Sequence, residues 1–314
     1  MRFPFKIPAN KKFDVIGFGT NAVDYLIQAA EFPAFNSKIE LTDYYQAAGG
    51  EIATTLTGLA RLGFKTGYAG HFGGDREGDF GLQSLRGENV NTDFAERVAD
   101  AKTQIAFIII DGRNGERTVL WQRDKKLSYT KKDAPIAAAR LGKVLHFTPH
   151  DAEACLAMAE AAKAAGAIIS IDADNLFTGI KNLLPLVDLL ICSAELPEKL
   201  TGIKNLKKSL REINRRYGCA VVGVTLGKHG SLLLCENKFI ETESFAVPGG
   251  CRDTTGAGDA FRAGLLYGLL TGAEIETSAQ MANAVAALKC RAVGAQTALP
   301  NQTELLDLLK RHSI

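Results

Sequence analysis

The stretch DTTGAGDAF at 253–261 puts two glycines, an alanine and a carboxylate directly ahead of an apolar, helix-spaced run. Gly256, Ala257 and Gly258 allow the backbone to turn so that several N–H groups converge on one point. That point lies at a helix start, whose positive end favours an anion such as a phosphate. Asp259 stands at the same place. As an anion it is excluded as a phosphate ligand, but it is well placed to accept the proton of a hydroxyl attacking that phosphate. The turn would then hold the charge of the transferring group while the carboxylate aligns the attacker. The plain alternative is an aspartate that caps a helix after a glycine turn.

Such a loop needs a framework. The chain has 314 residues, 46% of them hydrophobic, which is enough for a large core in more than one layer. DVIGFG (14–19), KVLHFT (143–148), AIISIDAD (167–174), DLLICS (188–193) and CAVVGVTLG (219–227) read as buried strands. Between and after them run helical patterns at 53–63, 79–90, 152–166, 206–218, 254–272, 278–295 and 303–313. KTGYAGHFG (65–73) is a further strand, and 231–245 a hairpin. Strands alternating with helices predict a mostly parallel sheet covered on both faces, with ligands beyond the carboxyl ends of its strands. YLIQAAEFP (25–33), KIELTDYYQA (38–47) and the paired runs within 102–123 break this rhythm. They predict a small β lid inserted at two points, about 25–47 and 102–123, into a single α/β domain spanning 1–314.

Composition removes several classes of function. The formal net charge of +2 gives no reason to expect nucleic acid. The longest apolar runs, such as IAFIII (105–110), are too short to span a bilayer, and the N-terminal stretch lacks a signal-peptide core. Six cysteines without a CxxC pair predict buried thiols, a reducing compartment and a cytoplasmic home. GFGTNA (17–22) lacks a complete dinucleotide-binding fingerprint.

DTTGAGDAF resembles the C-terminal signature of the ribokinase-like sugar kinases, the PfkB family. Other stretches resemble that family in the same order: GFGTNAVD (17–24), AAGGEIATTLTGLARLG (47–63), GHFGGDREGDFGLQSLRGENVNT (70–92) and VTLGKHGSLLL (224–234). The likeness covers about residues 14–310. It implies a three-layer ribokinase fold with a β lid, ATP with Mg²⁺, and phosphorylation of a hydroxymethyl group on a sugar or similar compound. By position it implies Asp259 as base and Gly256, Ala257 and Gly258 as anion hole. It places Asp24, Gly49, Gly50 and Thr54 on the acceptor, with Arg117 a further candidate from the lid. It places Thr225, Gly227, Gly230 and Asn283 on the nucleotide. Some members hold K⁺ beneath the loop, and the matching positions here are Asp253 and Thr255. A homodimer joined through the lid is also implied.

The sequence departs from the family pattern in three places. Thr54 replaces the usual asparagine, and Glu51 stands where ribokinases proper have lysine, which points away from ribose. In CSAELPEKLTG (192–202), Ser193 and Leu196 take the positions of an asparagine and glutamate that organise Mg²⁺. Glu195, one residue away, or Glu198 is left for that work. Arg252 replaces a valine and is expected to face solvent. Further acceptor-site candidates end the central strands: His150, Asp151, Asp172, Asp174 and Asn175. Cys251 and Cys290 are expected as buried small hydrophobes, and Trp121 as packing. The leading expectation is a kinase for a ketose or keto-sugar acid, of the fructose or 2-keto-3-deoxygluconate type. A nucleoside kinase, with a base held by Tyr44, Tyr45 and Trp121, and a non-catalytic regulatory relative are the alternatives.

Overall fold

The computed structural model describes residues 1–312. Strand β1 (Phe13–Phe18) opens the main sheet, and the chain then leaves it for β2 (Ala22–Ala29) and β3 (Leu41–Gly49). Helix α1 (Glu51–Arg61) returns to β4 (Thr66–Gly73), and α2 (Arg76–Gly87) leads to β5 (Asn91–Val98). Strands β6 (Ile105–Asp111) and β7 (Arg117–Gln122) leave it again. After α3 (Ile136–Ala139) come β8 (Gly142–Phe147), α4 (Ala152–Ala164), β9 (Ile168–Ala173), α5 (Ile180–Leu183) and β10 (Leu189–Ser193). Helices α6 (Leu196–Thr201) and α7 (Leu206–Tyr217) precede β11 (Val221–Thr225) and the hairpin β12 (Ser231–Cys235) and β13 (Lys238–Thr242). Three helices close the chain: α8 (Ala257–Leu270), α9 (Ile275–Lys289) and α10 (Gln302–Arg311). Residue 313, included in the last helix expected from sequence, lies outside the described residues.

Nine strands form one sheet in the order β13-β12-β11-β10-β9-β8-β1-β4-β5, parallel except around the hairpin strand β12. Its central strands are apolar runs buried on both faces, as helices on both sides require. One apolar core packs α1, α8, α9 and α10 on one face, and a second packs α4 and α7 on the other. The protein is therefore a three-layer α/β sandwich. Chain direction across the sheet reverses between β1 and β8, and this switch point opens a crevice at the strands' carboxyl ends.

Strands β3-β2-β6-β7 form a second, mixed sheet, which is the lid expected from the two inserted stretches. In the first insertion β2 starts earlier than expected, at Ala22, and β3 starts later, at Leu41. Asp24 is consequently the third residue of β2. Register puts Asp24 across from Ala106, and Ala106 across from Trp121. With a side-chain period of two, Arg117, Val119 and Trp121 share one face of β7 with that row. β5 was not foreseen. NTDFAERV is an edge strand with no fully buried residue, so it lacks the apolar run that marks the central strands.

Helix α8 crosses α9 closely because Gly264 and Gly268 are one turn apart on the crossing face. A Cβ at Gly264 would lie 2.7 Å from the Ala282 Cα and 2.8 Å from the Met281 carbonyl oxygen, both on α9. Gly264→Val is therefore expected to destabilise the fold by about 1–3 kcal/mol through overpacking. The effect should appear as a lower urea midpoint at constant slope, and an unchanged midpoint would mean the two helices can separate freely.

Candidate active site

Residues 254–259 form a wall between two cavities. Thr254, Ala257 and Gly258 face one of about 270 Å³, while Thr255, Gly256 and Asp259 face another of about 420 Å³. The wall is the start of α8. Gly256 precedes the helix with φ 75°, in the left-handed region, and a Cβ there would meet Ala295 at 2.9 Å. First-turn N–H groups have no intrahelical acceptor, so those of Gly258 and Asp259 are free by geometry to receive an anion. Glycine at 258 also leaves room below, where a Cβ would lie 2.7 Å from the Arg262 guanidinium.

The smaller cavity gathers Thr225, Gly227, Gly230 and Asn283, the four residues expected on the nucleotide. Asn283 is buried and donates to Ser231 Oγ at 2.9 Å, which fixes its amide. Phe245, Val247 and Phe261 add apolar surface suited to a flat ring. Beside it, Glu195 lines a groove with Ser193, Thr225 and Gly227, whereas Leu196 is fully buried. Glu198 is exposed on α6. Among the described residues, no group of three or more His, Cys, Asp or Glu side chains is spaced to hold a metal. Mg²⁺ held mainly by a nucleotide's phosphates needs only one or two protein carboxylates, and Glu195 fits that role.

The larger cavity lies between lid and sheet. Asp24, Gly50, Arg117 and Trp121 line it from the lid side and the loop before α1, as do Glu51, His150, Asp174 and Asn175 from the sheet side. Two expected acceptor ligands stand apart from its lining. Gly49 makes room for Asp24, since any Cβ there would collide with the Asp24 carboxylate. Thr54 is fully buried, and its hydroxyl accepts from Gln296 Nε2 at 3.4 Å. Because α1 begins at Glu51, that residue and not Thr54 projects into the cavity.

Electrostatics in this cavity are dominated by carboxylates. Burial raises Asp259 to about 7, and the Glu51 charge adds to this, against the pull of Arg262 and Arg117. Burial likewise raises Asp24 to about 7, with Asp253 adding and Arg117 and Lys289 opposing. Burial and Glu51 also raise Asp174. Glu51 behaves oppositely: burial would raise it, but hydrogen bonds from His150 (3.3 Å) and Thr20 (2.8 Å) hold it below the usual range. Arg117 is the one Lys or Arg among the described residues lining this cavity, and it donates to Thr254 Oγ1 at 2.8 Å. It thus reaches from the lid onto the wall itself.

Two buried cations beneath the wall escaped the sequence reading. Arg262, one turn after Asp259, ion-pairs with Asp172 and donates to the Ile191 carbonyl at 3.3 Å. Lys289 donates to the Asp253 carbonyl at 2.9 Å. Their only signal in sequence is a lone charge inside an apolar helical run. Asp253 anchors the loop: Oδ1 accepts the Thr255 N–H (2.8 Å) and hydroxyl (2.7 Å), and Oδ2 accepts the Gly294 N–H (2.8 Å). With these oxygens engaged and an ammonium at its carbonyl, the Asp253–Thr255 turn does not fit a potassium ion.

Other expectations are corrected by placement. Cys251 is exposed, although the other five cysteines are buried; both Cys251 and Cys290 line the smaller cavity. Asp151 pairs with Arg123 at 3.0 Å and Asp172 with Arg262, and neither lines the larger cavity. Trp121 is 62% exposed on the cavity face and is not packing. Tyr44 and Tyr45 are outside that lining: Tyr44 stacks on Tyr25, and Tyr45 packs under the lid with Leu26. Arg252 is exposed, as expected.

Comparison with known proteins agrees with this arrangement. The model of the pfkB family of carbohydrate kinases matches residues 14–302. The chain is 28% identical over 305 residues to a nucleoside kinase of Methanothermobacter thermautotrophicus, covering 93% of this chain and 94% of that one. It is 30% identical over 286 residues to a fructokinase of Salmonella typhimurium, covering 83% and 91%. The structure of a fructokinase with bound ATP from Xylella fastidiosa superposes with a TM-score of 0.80 at 25% identity, covering 96% of this chain and 99% of that one. A match over nearly its whole length means that this chain belongs to the pfkB carbohydrate kinase family.

Proposed function

We propose that the protein transfers the γ-phosphoryl group of ATP to a hydroxymethyl group of a small, neutral, polyhydroxylated acceptor, a ketose being the best fit. The observation that carries this reading is the shared wall. ATP in the nucleotide-side cavity would end at the N–H groups of the α8 start, and an acceptor across the wall would meet Asp259. Asp259 takes the hydroxyl proton as the acceptor oxygen bonds to phosphorus and the bond to the ADP oxygen breaks. Magnesium, carried by the triphosphate and met by Glu195, would offset charge on the phosphates. Arg117, held at Thr254, is placed to stabilise the transferring group.

Charge separates the two acceptor classes expected from sequence. Asp24, Glu51, Asp174 and Asp259 face one arginine across the cavity, which would repel the carboxylate of a keto-sugar acid. Hydroxyls suit such a site, because each carboxylate can accept from more than one of them. A nucleoside is the second reading, favoured by Trp121 and Phe177, whose rings both line the cavity. The complete loop with Asp259 speaks for an enzyme and against a non-catalytic regulator. Six free cysteines support a reducing, cytoplasmic setting.

The outer face of the lid supports pairing with a second copy. Tyr25 stacks on Phe107 at 5.2 Å, and Tyr44, Phe107 and Leu120 are exposed there.

The acceptor class is tested by following ADP release with Mg-ATP and a panel of ketoses, keto-sugar acids and nucleosides. Ketoses are expected to stimulate most, and stimulation by the keto-sugar acids alone would overturn the charge argument. Asp259→Asn should keep ATP affinity while turnover falls by about 10²–10⁴-fold, the usual worth of a general base. Near-normal turnover would remove Asp259 from that role.

The base works only when ionised. Its rate should therefore rise with pH through about 7 and level off above, on a limb shared with Asp24. Glu51→Gln removes the like charge that raises Asp259, so the limb should move to lower pH. A limb that stays in place would show that Glu51 does not act on the base.

A further inference from the structure

Lys289 and Asp253 are both fully buried, directly beneath the wall between the cavities. The ammonium lies 2.9 Å from the Asp253 carbonyl oxygen and 3.8 Å from Oδ2. A buried lysine is costly, and a well-packed apolar side chain of similar size is often the more stable choice. This one sits on the last turn of α9, where the same aspartate ties together three pieces of chain: its own turn at Thr255, the 294 turn and α9. Its positive charge lies just under the turn that leads into the anion-binding helix start. That place matches the position at which some relatives were expected to hold K⁺, and here the oxygens are already engaged.

We propose that the Lys289 ammonium is a tethered replacement for a monovalent cation, a positioning residue that holds the 253–256 turn in its anion-binding shape. Phosphoryl transfer is then independent of potassium. The proposal rests on the kinase reading above for its rate consequences, but not for its binding and stability consequences. An ammonium and a potassium ion carry the same charge and are satisfied by the same oxygens. Tethering one to α9 removes the need to capture the other, and it makes the cation part of the core.

The test compares wild-type protein, Lys289→Ala and Lys289→Met in tetramethylammonium chloride, with and without added potassium or ammonium chloride. Wild type is expected to show the same melting temperature, ATP affinity and turnover in every salt. Lys289→Ala leaves Asp253 without its cation, so turnover should fall about a hundredfold from misplacement of the turn. Potassium should restore most of that turnover and raise the variant's melting temperature, since it binds the folded state alone. Lys289→Met fills the space without charge and should lose turnover with no rescue. Two results overturn the proposal: a wild type stimulated or stabilised by potassium, or a Lys289→Met variant as active as wild type. If wild type phosphorylates no acceptor in any salt, the kinase reading fails by itself. The melting and ATP titrations of wild type and Lys289→Met then decide the cation question, even if Lys289→Ala does not fold.

Discussion

One turn of helix has to meet two opposite electrical demands. In the proposed reaction the start of α8 attracts a phosphate and also carries a carboxylate, Asp259, within the same turn. A carboxylate there repels the anion that the N–H groups attract, so the two must look in different directions. The wall achieves this by alternation: Ala257 and Gly258 face the smaller cavity, while Gly256 and Asp259 face the larger one. Most of the surrounding structure follows from keeping that turn in shape. Gly256 and Gly258 exclude side chains, Asp253 pins the approach, and Arg262 and Lys289 place positive charge below.

The sheet supplies what the turn cannot. Reversal of chain direction between β1 and β8 opens the crevice, and the loops after β1, β8, β9 and β10 bring Thr20, His150, Asp174 and Glu195 to its edges. The lid closes the other side by register alone, since a period of two puts Arg117, Val119 and Trp121 on the cavity face. Glu51 links the two halves. It is held ionised by His150 and Thr20, and its charge raises Asp259 toward neutrality, where a base can both accept and release a proton. The aspartate's environment is thus set from across the cavity.

Local features were legible from sequence, and features that depend on folding were not. The loop at 253–259 announces itself because its residue types and their order suit phosphoryl transfer within one helical turn. The central strands and the lid follow from buried apolar runs and from breaks in the strand–helix rhythm. β5 was hidden because an edge strand needs no apolar run. Thr54 was expected at the acceptor because its distance from Gly50 could be counted, but the start of α1 at Glu51 turns it into the core. Arg262 and Lys289 read as stray charges in apolar helices, and only the approach of Asp172 and Asp253 from distant positions gives them partners. Trp121 faces the cavity through strand register, which pattern alone does not fix.

The central claim is that nucleotide and acceptor occupy opposite sides of the 254–259 wall. A crystal structure with a non-hydrolysable ATP analogue, magnesium and an accepted sugar tests it most directly. The account predicts the terminal phosphate at the N–H groups of the α8 start and a sugar hydroxyl within hydrogen-bond reach of Asp259. A nucleotide seated under the lid beside Asp24 and Trp121, with the sugar elsewhere, would contradict it.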